Sequence, residues 1–96
     1  MNQFRFREWK VYRDAREVAK DVYALTLSFP QEFQFNLVAQ INRAVLSIIL
    51  NIAEGSGKDS DRELNRFFNI AIGSVNETVA GLEVALDNDL IAEADF

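Results

Sequence analysis

The stretch "SIILNIAEGSGKDS", residues 47–60, indicates a helical architecture. It places an asparagine and a glutamate inside an apolar run, and it ends in glycine, serine and charged residues. At about 100° per residue, Asn51 and Glu54 lie on one helical line with Ser47. They therefore continue a polar stripe rather than interrupt a core. Two glycines follow as a usual helix exit. The segment predicts the end of an amphipathic helix and then a short connection.

This helix, predicted over residues 35–54, has one narrow polar stripe between two apolar sides. The polar stripe consists of Gln40, Arg43, Ser47, Asn51 and Glu54. One apolar side consists of Leu37, Ile41, Ala44, Val45, Ile48 and Ile52, and the nearly opposite side of Ala39, Leu46, Leu50 and Ala53. We expect such a helix to be enclosed by other helices over most of its circumference.

The polar stripe has two interpretations. It is either a binding face or a hydrated face that makes helix–helix hydrogen bonds, and the second is its more ordinary role. Ser47 has no His or Lys at a suggestive spacing, so the pattern predicts no activated nucleophile.

The first helix is predicted over residues 9–28, and Pro30 ends it because the residue before a proline avoids the helical region. Its inner face consists of Tyr12, Ala15, Ala19, Val22, Tyr23 and Thr26. A second apolar stripe beside that face consists of Val11, Val18 and Leu25. The helix thus has a broader apolar surface than one partner helix needs.

The third helix is predicted over residues 60–88, with Ser60 and Glu63 as a capping box at its start. Its inner face consists of Leu64, Phe67, Phe68, Ala71, Val75, Thr78, Leu82, Ala85 and Leu86, and Gly73 and Gly81 are expected toward the outer side. Residues 89–96 lead into a missing or short fourth helix. That helix is either truncated from the chain or replaced by another subunit. The prediction is one all-α, up-down helical-bundle domain over residues 1–96.

Composition restricts the chemistry. The chain has 96 residues, ten Lys and Arg against fifteen Asp and Glu, a net charge of −5, and neither Cys nor His. We therefore predict no catalytic residues, no metal site and no cofactor. The start lacks the apolar segment of a signal peptide, and no apolar run approaches the ~20 residues of a membrane span. The expected location is the cytoplasm, without membrane contact.

Two motif-like segments fail on inspection. "GSGKDS" lacks the first glycine and the final Ser/Thr of a phosphate-binding loop, and it follows a helix rather than a strand. Asp87, Asn88 and Asp89 resemble the start of a calcium loop, but Ala92 occupies the position where that loop requires glycine.

One basic and aromatic cluster lies near the N-terminus. Its cations are Arg5, Arg7, Lys10, Arg13 and Lys20, and its aromatic neighbours are Phe4, Phe6, Trp9 and Tyr12. Such a cluster is a candidate contact for RNA or a partner. The alternative is a set of aromatic anchors surrounded by solvated charges.

Three segments read together resemble a known family. They are "WKVYRDAREVAKDVYALTLSFP", "LVAQINRAVLSIILNIAEGSG" and "RELNRFFNIAIGSVNETVAGLEVA", and they resemble the proteins related to the 23S rRNA intervening-sequence protein, also called S23 ribosomal protein. The resemblance implies a left-handed four-helix up-and-down bundle and ring-like homo-oligomers, pentamers in particular. Ile49 stands where the family pattern commonly has proline.

Two functions follow as expectations. The first is a non-enzymatic, homo-oligomeric bundle that acts as an interaction module associated with RNA or ribosomes. The second is a purely protein-binding scaffold or accessory subunit without nucleic-acid contact. Candidate contacts between copies are the apolar residues Val11, Val18, Leu25, Ala39, Leu46 and Leu50.

Overall fold

Three long helices form an all-α bundle in the part of the chain that the computed structural model describes, residues 4–92. They are α1 (Lys10–Leu27), α2 (Gln31–Ser56) and α3 (Asp61–Asp87), and a short 3-10 turn (Arg5–Glu8) precedes α1. The predicted fold class is confirmed. Every helix boundary lies within two residues of its predicted position, except the start of α2.

The start of α2 lies four residues before the predicted position. Pro30 has extended backbone, with φ −55° and ψ 151°, and the helix begins directly after it. A π-helical segment, Gln34–Val38, precedes the regular part of the helix. The wider π turn rotates the side chains before it relative to those after it. The apolar periodicity of 3.6 residues therefore does not continue into the first turns of α2. The side-chain Nε2 of Gln34 donates to the carbonyl oxygen of Phe29 at 2.8 Å, and this bond ties the end of α1 to α2.

The middle helix is the centre of the bundle, because α1 and α3 both pack mainly on α2. The order is up and down. The Thr26 hydroxyl donates to Asn42 Oδ1 at 3.3 Å between α1 and α2, and Gly81 lies against Ile41 between α3 and α2. The main core cluster consists of Ala15, Ala19, Val22, Ile41, Val45, Ile48, Ile52 and Ala71. All of these residues were predicted on inner faces.

A second core cluster closes the other end of the bundle. It consists of Phe29, Val38, Ala85 and Ile91. Ile91 belongs to the segment expected to lead into a missing or short fourth helix, and the structure places its side chain in this cluster. Asp89 has a φ of 59°, and the following amide, that of Leu90, donates to the carbonyl of Ala85 at 3.0 Å. This helix ending turns Ile91 back into the core, whereas Phe96 lies outside the described residues.

In the single chain, four predictions of which surfaces are buried are wrong. Tyr23 and Val75, expected inside, are 39% and 42% exposed, and Gly81, expected outside, faces α2. The enclosure expected for α2 is also incomplete. Leu46 and Leu50 are 41% and 55% exposed, because α1 and α3 cover only the inner side of that helix.

The composition of α2 contradicts the expectation that no apolar run approaches the length of a membrane span. By length and composition alone, Gln31–Ser56 is apolar enough to cross a membrane, with a mean hydropathy of 1.4. The central helix of a water-soluble bundle has the same property, since a helix packed on several sides needs little polar surface. Ile41 and Val45, at 1% and 0% exposure, take that central role here.

The cap of α3 gives a first prediction. Ser60 Oγ accepts a hydrogen bond from the Glu63 amide at 3.2 Å, while the Glu63 carboxylate lies 3.5 Å from Arg66. Ser60→Ala should lower the free energy of unfolding by about 1 kcal/mol, because one helix-start amide loses its acceptor. Urea unfolding measures the change, with Ser60→Asp as the control that retains a cap. Equal losses in both variants would contradict the capping role.

Candidate nucleic-acid interface

Charge is unevenly distributed along the bundle. The up-down order brings the start of α1, the end of α2 and the start of α3 to one end. This basic end, residues 4–16 and 54–66, carries eight Lys and Arg against six Asp and Glu. The rest of the described chain carries two against seven. The basic end therefore carries a net charge opposite in sign to that of the whole protein, and this local charge reduces the repulsion that an approaching phosphate meets.

Arg5, the first predicted contact, is held by the protein itself. Its Nε donates to the carbonyl oxygen of Ser56 at 3.0 Å, and its guanidinium lies 5.3 Å from the centre of the Trp9 ring. Trp9 in turn packs edge-on against Phe68 of α3, with 5.9 Å between ring centres. Arg5 thus fastens the N-terminal turn to the end of α2 by a charge-assisted hydrogen bond and a cation–π contact.

The other predicted cations divide into two groups. Lys10 is paired with Asp14 at 2.6 Å. Arg7, Arg13 and Lys20 are exposed, and no side-chain hydrogen bond or ion pair involves them within residues 4–92. Arg13 and Lys20 lie seven positions apart on α1 and so share one exposed stripe. They are the cations best placed to meet a phosphate.

A further cation, Arg16, completes that stripe and was missed by the sequence reasoning. Its guanidinium lies 5.8 Å from the centre of the Tyr12 ring. Its spacing could have identified it, because Arg16 lies three residues after Arg13 and four before Lys20. This spacing places the three cations on one helical face.

Three more cations of the basic end come from the loop and first turns of α3. Lys58 and Arg66 lie 5.1 and 4.6 Å from the centre of the Phe67 ring, and Arg62 is exposed nearby in sequence. These three cations were not predicted as contacts, because acidic residues lie between them in the sequence. The ion pairs Lys58–Glu54 and Arg66–Glu63 are long and exposed, at 3.9 and 3.5 Å, so they hold these cations only weakly.

The polar stripe of α2 has different surroundings along its length. In its middle, Asn51 Nδ2 donates to Ser47 Oγ at 2.9 Å, and Ser74 Oγ of α3 donates to the same oxygen at 2.9 Å. These half-buried groups form a helix–helix hydrogen-bond network. The outer members of the stripe, Gln40, Arg43 and Glu54, are exposed.

The candidate contacts between copies lie on two separate surfaces. Leu46 and Leu50 are exposed on the outer side of α2, and Ala39 is partly exposed there. Val11 and Val18 are exposed on one edge of α1, at 52% and 48%. Leu25, on the same edge, is partly buried against the second core cluster.

Comparison with known proteins gives one result. The sequence model of the family described as 23S rRNA-intervening sequence protein matches residues 7–96. A search of curated proteins finds no significant match. The matched range includes all three long helices and most of the basic end.

Proposed function

We propose a function from one premise: this chain belongs to the 23S rRNA-intervening sequence protein family. The protein is a non-enzymatic helical bundle that assembles with copies of itself and contacts RNA, ribosomal RNA first, through its basic end. The proposed location is the cytoplasm. The proposed number of copies is five, as the resemblance implies.

The observation that carries the RNA contact is the separation of charge along the bundle. A net charge of −5 repels phosphate at long range. The basic end reduces that repulsion locally, and Arg7, Arg13 and Lys20 are exposed there and on the adjoining stripe. Phe4 and Phe6, which pack edge-on with 6.3 Å between ring centres, supply the aromatic part of the predicted RNA contact.

A non-enzymatic role agrees with the residue types in the chain. Neither His nor Cys is present, so general-base and thiolate chemistry would depend on carboxylates and lysines alone. Within residues 4–92, no group of three or more acidic side chains is arranged to hold a metal ion. The half-buried hydroxyl network at Ser47 contains no base that could activate it.

Assembly is supported by the outer side of α2. Leu46 and Leu50 expose about half of their side chains in the single chain. Single exposed leucines are ordinary on protein surfaces. These two, however, lie one turn apart on the most apolar helix, and contact with another copy would remove them from water.

RNA binding tests the proposal directly. Affinity for a single-stranded RNA of ribosomal sequence should fall steeply between low and physiological salt, because phosphate contacts release counterions. Arg7→Glu combined with Arg13→Glu should weaken binding by about tenfold or more at physiological salt, as two phosphate contacts become repulsive. Fluorescence anisotropy across a salt series measures both effects.

Arg43→Glu is the matched control. It makes the same change of charge per site on an exposed helical arginine outside the basic end, so it should leave RNA affinity within about twofold at physiological salt. Binding that is absent at low salt would leave the protein-binding scaffold as the function. Equal losses in the two variants would reject the basic end as the contact.

A further inference from the structure

A pocket opens at the basic end, between the N-terminal turn and the last turns of α2. Its volume is about 540 Å³, which lies within the range of small-molecule sites. The apolar lining comes from two rings of the N-terminal turn and from aliphatic side chains of α2, and the polar lining comes from the end of that helix. The lining residues are Phe4, Phe6, Leu50, Ala53, Glu54, Gly57 and Lys58. The pocket thus combines apolar walls with one carboxylate and one cation.

The wall that the N-terminal turn forms is held in place by contacts within the chain. Phe4 and Phe6 pack edge-on with 6.3 Å between ring centres, and Phe6 packs edge-on against Tyr12 of α1 at 4.8 Å. Arg5, between the two phenylalanines, donates to the carbonyl oxygen of Ser56 at 3.0 Å. Because these contacts join the turn to both α1 and α2, the pocket needs little ordering when a ligand binds.

The carboxylate of Glu54 determines which kind of ligand edge fits the pocket. Its side chain is 61% exposed, and its ion pair with Lys58 is long, at 3.9 Å, so this pair is easily exchanged for another partner. A carboxylate only accepts hydrogen bonds, and two parallel N–H donors satisfy both of its oxygens. Among the RNA bases, guanine has two adjacent donors, N1–H and N2–H, on its Watson–Crick edge. Adenine, cytosine and uracil have a single donor group beside acceptors on that edge.

We propose that this pocket binds one unpaired guanine of an RNA, with the base against the phenylalanine wall, its Watson–Crick edge on Glu54 and a neighbouring phosphate at Lys58. Stacking on aromatic rings supplies affinity for any base, and the paired hydrogen bonds supply the selectivity. The inference rests on the proposed RNA contact and deepens it by naming the base. Leu50 also belongs to the proposed contact between copies, so the pocket lies beside that contact.

The charge around the pocket favours RNA over a protein partner. An arginine side chain also presents two parallel N–H donors and stacks on aromatic rings. Lys58 lines the pocket, however, and Arg5 and Arg7 flank the phenylalanines in sequence. These cations attract a phosphate and repel a guanidinium.

Short RNAs that differ at one position test the base preference. The probes are labelled oligouridines with one central guanosine, inosine or adenosine, and inosine is guanosine without the amino group at position 2. The guanosine RNA should bind the full chain about tenfold more tightly than the other two, because each of these loses a hydrogen bond to Glu54. Fluorescence anisotropy at physiological salt gives the three affinities.

Two variants test the carboxylate and the walls separately. Glu54→Gln should reduce the guanosine preference to about twofold or less, because glutamine retains one acceptor oxygen, and it should not weaken binding of oligouridine. Glu8→Gln is the matched control. It removes the same charge from an exposed residue of the basic end outside the pocket, so the preference should persist. Ala53→Leu fills the pocket with a larger side chain and should remove the preference, and circular dichroism checks that it folds.

Each contrary result identifies what fails. Equal affinities for the three RNAs, or a preference that survives in Glu54→Gln, would overturn the proposal. So would a lower native mass of Ala53→Leu, because a second copy would then occupy the pocket. An arginine peptide that binds the protein more tightly than its lysine counterpart, and loses this advantage in Glu54→Gln, would assign the pocket to a protein partner instead.

The base preference and the RNA contact can fail independently. If the three RNAs bind equally and their shared affinity still depends on salt, Arg7 and Arg13, only the guanine pocket is lost and the proposed function stands. If none of the RNAs binds at low salt, both the pocket and the RNA contact are rejected.

Discussion

Replacing Gly81 with alanine should destabilise the bundle, although alanine is the better helix former. A methyl group built at Gly81 lies 2.6 Å from Cγ1 of Ile41 and 3.4 Å from its Cδ1. Ile41 is only 1% exposed and cannot move into solvent. Overpacking of this kind costs about 1–3 kcal/mol, whereas the gain in helix propensity is about 1 kcal/mol. We expect a net loss of about 1 kcal/mol in the free energy of unfolding, as the difference of these two effects.

Gly73 provides the matched control within the same helix. Nothing lies within 4 Å of a methyl group built there, so Gly73→Ala should raise the free energy of unfolding by about 1 kcal/mol. The two variants should thus differ in sign under urea unfolding. Combining Gly81→Ala with Ile41→Ala should destabilise less than the sum of the single changes, because the clash disappears. Stabilisation by Gly81→Ala would contradict the close approach of α3 to α2.

Much of the fold could be predicted from the sequence, because helical periodicity is a local property. Ala15, Ala19, Ile41 and Val45 recur at helical spacings, and all of them are buried. Pro30 and the Gly-rich loop separate the helices. The position of Gly81 could not be predicted, since a glycine carries no polarity that marks its side. Only the packing angle of two helices decides whether its face is open or closed.

The candidate site was less predictable, because it depends on which helix ends meet. The sequence identified the N-terminal cations except Arg16, but Lys58, Arg62 and Arg66 join them only through the up-down topology. Arg5 was singled out for its charge, whereas its bond to Ser56 spans 51 positions and leaves no local pattern. A contact of that range requires the tertiary structure.

The double variant Leu46→Glu, Leu50→Glu should separate the copies of the assembly. Removing the exposed half of each leucine side chain from water contributes about 1 kcal/mol. Loss of both, about 2 kcal/mol per contact, corresponds to an affinity lower by about thirtyfold. The helix itself should remain folded, since both side chains are already half-exposed in the single chain. Circular dichroism checks the folding, and sedimentation velocity measures the assembly.

A matched control tests whether added charge alone separates the copies. Ile72→Glu with Val79→Glu places the same charges on residues of α3 that are 58% and 44% exposed. Because neither residue is a candidate contact between copies, the control should keep the mass of the unmodified protein. If the control separates the copies while the leucine variant does not, the assembly contact lies on α3 instead.

We expect α2 to be covered on its inner side by α1 and α3 and on its outer side by other copies. Sedimentation equilibrium of the unmodified chain at micromolar concentration tests this most directly. We expect a particle of several chains of 10.9 kDa each, five as the family resemblance implies. A particle with the mass of one chain at every concentration, with Leu46 and Leu50 in contact with water, would contradict the assembly.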